Sequence, residues 1–129
     1  MIDRRAFLLA SAAAALLPGR ASATPDLKVI YVGGLDCPPC RQWKANKKPS
    51  WLASPEYLRV TWIEVESPKL KEAYHVRYWP GDLKPVLDQL PRKNGTPRFL
   101  IVSDGRVVAN EFGGSKWETI MADLRKLLG

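Results

Sequence analysis

Hydrophobic and polar positions change period several times along this chain, and each change predicts an element. Leu27 to Val32 is a short apolar run closed by Gly33-Gly34, the pattern of a buried strand. A helix is predicted to open at Cys37 and Cys40. Pro38 and Pro39 suit its first turn, where an N–H has no intrahelical partner, and Pro49 is the latest point at which it can stop. Leu58 to Val65 alternates, with Val60 and Trp62 on one face and Thr61, Ile63 and Val65 on the other, which predicts a second strand. Pro68, Pro80 and Pro85 divide Ser67 to Leu90 into short helical pieces around a loop at Tyr78-Trp79-Pro80-Gly81. Arg98 to Val102 and Arg106 to Phe112 flank Asp104-Gly105, a hairpin signal that makes the last two strands antiparallel. Ser115 with Glu118 reads as a capping box, and Trp117, Ile120, Met121, Leu124 and Leu128 recur at helical spacing as one apolar face. Strand, helix, strand, helical insert, hairpin and helix predict an α/β sandwich with a mixed sheet.

The first residues follow a different pattern. Asp3, Arg4 and Arg5 form a charged start, and Ala6 to Leu17 is an apolar stretch of twelve residues, short of the roughly 20 that a membrane-spanning helix needs. Ala21-Ser22-Ala23 then supplies the small residues of a cleavage site. Residues 1–23 are therefore expected to be a cleavable signal peptide, and residues 24–129 one exported domain, located in the periplasm. Arg4-Arg5 followed by Phe7-Leu8 resembles the twin-arginine export signal, with Leu9 where a lysine is usual. The general secretory route suits the same apolar stretch.

A length of 129 residues accommodates one core, and 46% hydrophobic against 26% charged residues excludes disorder for most of the chain. The formal charge of +7 raises the question of an anionic partner. Without residues 1–23 the balance is seventeen cations against twelve anions, an ordinary +5. Arg41, Lys44, Lys47 and Lys48 with Trp43 and Trp51 are the nearest approach to a nucleic-acid motif. They fall on a predicted helix where such charges form the solvated face, so no nucleic-acid partner is expected.

Cys37 and Cys40 are the only cysteines. Three residues apart at a helix start, they can close a disulfide with little movement. As a staple this bond is weak, because the loop-entropy model gives about 2 kcal/mol for a four-residue ring against about 4.7 for a 100-residue loop. As a redox pair it is well placed, since the helix N-terminus stabilises the Cys37 thiolate and leaves Cys40 as the resolving thiol. Pro38 and Pro39 donate no N–H, so local stabilisation falls to the Cys40 N–H, the helix dipole and Arg41, opposed by the like charge of Asp36. Beyond the cysteines only His75 and scattered carboxylates could complete a structural zinc site, so no resident metal is expected. Two thiolates alone could hold copper(I), which keeps a copper or thiol carrier, and a redox-inert interaction module, as alternatives. His75, flanked by Tyr74 and Val76 in a helix, reads as a packed or half-exposed surface residue. The five tryptophans read as core, except Trp79, which is expected on an exposed docking loop beside Pro80-Gly81.

A CxxC that follows an apolar strand and opens a helix, with Gly95-Thr96-Pro97 before a later strand and Gly113-Gly114-Ser115 before the last helix, resembles the thioredoxin superfamily across the whole of residues 24–129. It is similar in particular to the small exported thioredoxin-like proteins. The resemblance implies a thioredoxin-like sandwich and a thiol:disulfide oxidoreductase without an organic cofactor, a monomer acting on protein thiols and disulfides. Pro38-Pro39 and the lack of an acid at Tyr31 lean the direction towards a reductant that a membrane thiol donor keeps reduced. The resemblance also implies that Pro97 is cis and faces the disulfide and that Thr96 pairs its backbone with a substrate strand. The positions of the cysteines in the predicted helix make Cys37 the exposed thiol, with Cys40 one turn in and buried behind it. Four features depart from the family pattern. Asp36 replaces the tryptophan common before the first cysteine, and Tyr31 replaces the buried acid six positions before it, which removes the usual proton acceptor of Cys40. Gly33-Gly34 predicts a flexible approach to the site, and the stretch from Cys40 to Pro97 is long.

Overall fold

The computed structural model describes residues 25–129. The expected signal peptide and its export route lie outside the described residues. Four strands form one mixed sheet: β1 (Leu27–Gly34), β2 (Thr61–Ser67), β3 (Arg98–Ser103) and β4 (Arg106–Phe112), in the order β2-β1-β3-β4. β1 runs parallel to β2 and antiparallel to β3, and β3 runs antiparallel to β4. The helices are α1 (Pro38–Asn46), α2 (Lys48–Leu52), α3 (Lys84–Gln89) and α4 (Trp117–Leu128).

β1 is central, so both its faces are covered, and its alternation separates two cores. Val29 and Tyr31 point to the side of α1, α2 and α4, where Cys37, Cys40, Trp43, Trp51, Phe99, Ile101, Trp117, Ile120 and Leu124 gather. Ile30 and Val32 point to the other side, roofed by residues 73–90 through Ala73, Trp79, Leu83, Val86 and Leu90. The prolines divide residues 70–90 as expected, into three 3₁₀ turns and the short helix α3. At the hairpin, Asp104 (φ 48°) and Gly105 (φ 84°) both take the left-handed conformation that a two-residue turn between right-twisted strands requires.

Five expectations need correction. β1 continues through Gly33 and Gly34, which are buried. They are packing positions and not a flexible approach: a Cβ on Gly34 would lie 2.5 Å from both the backbone N and the Cα of Leu70. β2 begins at Thr61, because residues 57–59 form a 3₁₀ turn. The capping box is absent. A 3₁₀ turn over Gly114–Lys116 leads directly into α4, no side chain among the described residues caps it, and Glu118 instead pairs with Lys47 at 3.2 Å. Trp79 is core, 4% exposed, with its indole N–H donating to the Ala73 carbonyl at 2.8 Å. His75 is exposed and lies between 3₁₀ turns.

Candidate active site

The C-terminal end of β1 and the N-terminal end of α1 meet at Cys37, which caps α1. Its side chain accepts the Cys40 N–H at 3.2 Å, and it forms a disulfide with Cys40 across a Cα separation of 5.2 Å. This local geometry follows from the sequence: the two prolines cannot donate, so Cys40 carries the first N–H free to turn back on the capping sulfur. Thr96 adds a second donor, its hydroxyl lying 3.3 Å from Cys37 Sγ. Cys37 and Thr96, 59 positions apart in sequence, are thus brought together by the fold.

The exposed-and-buried asymmetry does not hold for the disulfide: Cys37 is 1% exposed and Cys40 is 0%. The two sulfurs differ in hydrogen bonding, with Cys37 receiving both donors. Cys40 faces β1, where the place of a Gly33 Cβ lies 3.0 Å from its sulfur. The Arg41 guanidinium is engaged at the turn before α1, where Nη1 donates to the Leu35 carbonyl at 2.9 Å. Asp36 accepts the Leu70 N–H at 2.6 Å, tying the turn before α1 to the segment after β2. Pro38 and Pro39 are exposed at the rim.

The Thr96–Pro97 peptide bond is cis, and Pro97 is buried. Its carbonyl accepts the Gly113 N–H at 2.8 Å, whereas Thr96 precedes Arg98, the first residue of β3 to pair in the ladder. Behind this loop lies a residue that sequence reasoning missed. Arg98 is 0% exposed, stacks over Phe112 (4.3 Å) and Tyr74 (5.5 Å), and donates to Asn110 Oδ1 at 2.8 Å and to the Arg92 carbonyl. Tyr74, its phenol pushed above the usual tyrosine range by burial, donates to the Gly95 carbonyl at 2.6 Å. Together they hold the 92–97 segment against the sheet. The available signal was parity, because Arg98 shares the inward register of Leu100 and Val102.

The lysines of the basic cluster are paired with acids. Lys44 bridges Glu66 (2.5 Å) and Glu64 (3.8 Å), and Lys48 pairs with Glu64 at 2.7 Å. Among the described residues no three His, Cys, Asp or Glu side chains gather as a metal site, and no helix is long and apolar enough to cross a membrane.

No family model matches this chain, and no curated protein matches it in sequence. Solved structures do match. The thioredoxin Mala s 13 of Malassezia sympodialis superimposes with a TM-score of 0.55 at 13% identity, over 85% of this chain and 84% of that one. Thioredoxin f of spinach chloroplast (short form) gives 0.54 at 18%, over 82% and 80%. The periplasmic thioredoxin SoxS of Paracoccus pantotrophus, in its reduced form, gives 0.51 at 16%, over 80% and 96%. The chain therefore has the thioredoxin fold, a mixed four-stranded sheet flanked by helices, with a CxxC disulfide at the start of its first helix.

Proposed function

We propose that this chain is an exported thiol:disulfide oxidoreductase of the periplasm, in which Cys37 exchanges with protein thiols and disulfides and Cys40 resolves the mixed disulfide. The observation that carries this reading is the disulfide at the N-terminus of α1 with both hydrogen-bond donors directed at Cys37. A thiolate there is stabilised by the Cys40 N–H, the Thr96 hydroxyl and the helix N-terminus, which makes it the nucleophile and the better leaving group. Thr96 and Pro97 form the partner-binding edge, and the exposed Pro38, Pro39 and Leu35 form the surface around it. The chemistry needs no cofactor beyond the disulfide, and the protein works as a monomer, without nucleic acid.

The direction proposed is reduction, sustained by a membrane thiol donor. A potential becomes oxidising when the reduced thiolate is strongly stabilised. Arg41 is engaged by Leu35 and Asp36 is the adjacent charge, so the stabilisation of Cys37 rests on neutral donors and the helix end. Equilibration of the purified protein with glutathione buffers should give a potential below about −150 mV, between the roughly −270 mV of thioredoxin and the −120 mV of a strong oxidant. A higher value refutes the reductant direction. A bond that never equilibrates refutes the oxidoreductase reading in favour of an inert module.

Export is proposed from residues 1–23 alone. Mass spectrometry of the protein from its native host should find a chain beginning near Thr24, and replacing Arg4 and Arg5 by lysine should stop export by the twin-arginine route. A chain retaining Met1 in the cytoplasm contradicts it.

A further inference from the structure

Tyr31 occupies the place where the resemblance leads one to look for a buried acid, yet a carboxylate reaches the same spot from the neighbouring strand. The Tyr31 hydroxyl donates to Glu66 Oε2 at 3.1 Å, and Glu66 lies on β2 opposite Gly33 of β1. A Cβ on Gly33 would stand 2.1 Å from the Tyr31 hydroxyl oxygen and 3.0 Å from Cys40 Sγ. The hydroxyl and the resolving sulfur therefore both border the space that Gly33 leaves empty. Lys44 of α1 ion-pairs with the other oxygen of Glu66 at 2.5 Å and stands over the Tyr31 ring at 5.3 Å.

We propose that Tyr31 and Glu66 form the proton path of Cys40, with Lys44 holding the carboxylate in place. This inference rests on the oxidoreductase reading. In the resolving step the Cys40 thiol gives its proton to the Tyr31 oxygen as Tyr31 passes its own to Glu66. The Cys40 sulfur attacks Cys37 Sγ, the bond between Cys37 and the partner sulfur breaks, and the partner leaves as a thiolate that takes a proton from solvent. The cysteine pair is oxidised, the partner is reduced, and Glu66 returns its proton to water through its exposed side. The reverse reaction sends the proton back along the same path.

Burial, and next the negative charge of Glu66, push the Tyr31 hydroxyl far above the usual tyrosine range. Tyr31 thus stays neutral and conducts a proton without becoming a phenolate. The titratable and charged groups facing the path are Glu66 and Glu64 from β2 and Lys44 from α1, with Lys48 reaching Glu64; β3 presents the apolar Phe99 and α1 the Trp43 ring stacked on Tyr31 at 5.3 Å.

The test uses glutathione disulfide as the probe and follows two steps in the full chain: capture of glutathione by reduced Cys37, and its release by Cys40. Tyr31→Phe keeps the ring and its stacking, and Glu66→Gln keeps the side-chain shape, so two independent variants report. In each, release at pH 7 should slow by at least tenfold more than capture, on the scale of positioned proton transfer. The loss should shrink with rising pH, as hydroxide takes over the role of the missing proton acceptor. Release that is unchanged in rate and pH profile in both variants overturns the proton path. So does a loss that persists undiminished at high pH, which marks a merely structural role. A wild-type chain that captures no glutathione overturns the oxidoreductase reading itself, and this inference with it.

Discussion

Replacing Cys40 by serine is expected to accumulate mixed disulfides through Cys37, whereas Cys37→Ser should trap almost none and lose thiol exchange altogether. Exposure does not supply the asymmetry, since both cysteines are buried in the disulfide. Hydrogen bonding does. Cys37 receives the Cys40 N–H at 3.2 Å and the Thr96 hydroxyl at 3.3 Å, and both interactions favour the thiolate that attacks and leaves. Cys40, set one turn into α1 against Gly33, is positioned to strike Cys37 and little else. Alkylation followed by mass spectrometry of partners captured under oxidising conditions checks this. Equal trapping by both variants contradicts the assignment. Loss of the fold is not a competing explanation, because a four-residue ring contributes only about 2 kcal/mol by the entropy model; denaturant unfolding of each variant verifies that.

The largest stability loss is expected from Trp43→Ala. Trp43 is 2% exposed and lies among Tyr31 (5.3 Å), Phe99 (5.0 Å), Trp117 (5.1 Å) and Trp62 (6.0 Å), so it joins α1 to the sheet and to α4 at once. Truncating such a side chain costs about 3–5 kcal/mol through lost transfer energy and the cavity left behind. A domain whose whole stability is of the order of 5–15 kcal/mol is left marginal. Trp43→Phe should cost much less. The buried indole N–H has no hydrogen-bond partner among the described residues, so its removal forfeits no bond there, and an aromatic ring remains in the stack. Urea midpoints for the two variants decide the matter, and a loss below about 1 kcal/mol in Trp43→Ala would show that the aromatic cluster is not cooperative.

Much of this architecture is local and was therefore legible. The apolar run of β1, the alternation of β2, the turn at Asp104-Gly105 and the helical spacing from Trp117 to Leu124 each express a backbone period against a buried face. The CxxC reports its own geometry for the same reason, since three residues and two prolines bring Cys37 and Cys40 to one helix turn. The failures concern side chains with a choice of partner. Ser115 and Glu118 have cap spacing, yet the 3₁₀ turn at Gly114–Lys116 and the reach of Lys47 redirect them. Arg41 could have turned to the sulfur and turned to Leu35.

By itself the sequence determined the elements, their faces and the disulfide pair, because those depend on residues a few positions apart. Tertiary structure alone decided what surrounds the sulfurs. Thr96 meets Cys37 only when β3 is laid beside β1, and Glu66 meets Tyr31 only in the parallel register that sets it opposite Gly33. Gly33 and Gly34, which as dipeptide chemistry suggest freedom, are small because Tyr31, Cys40 and Leu70 occupy the space a side chain would need. Such contacts join positions far apart in sequence, and no local period records them.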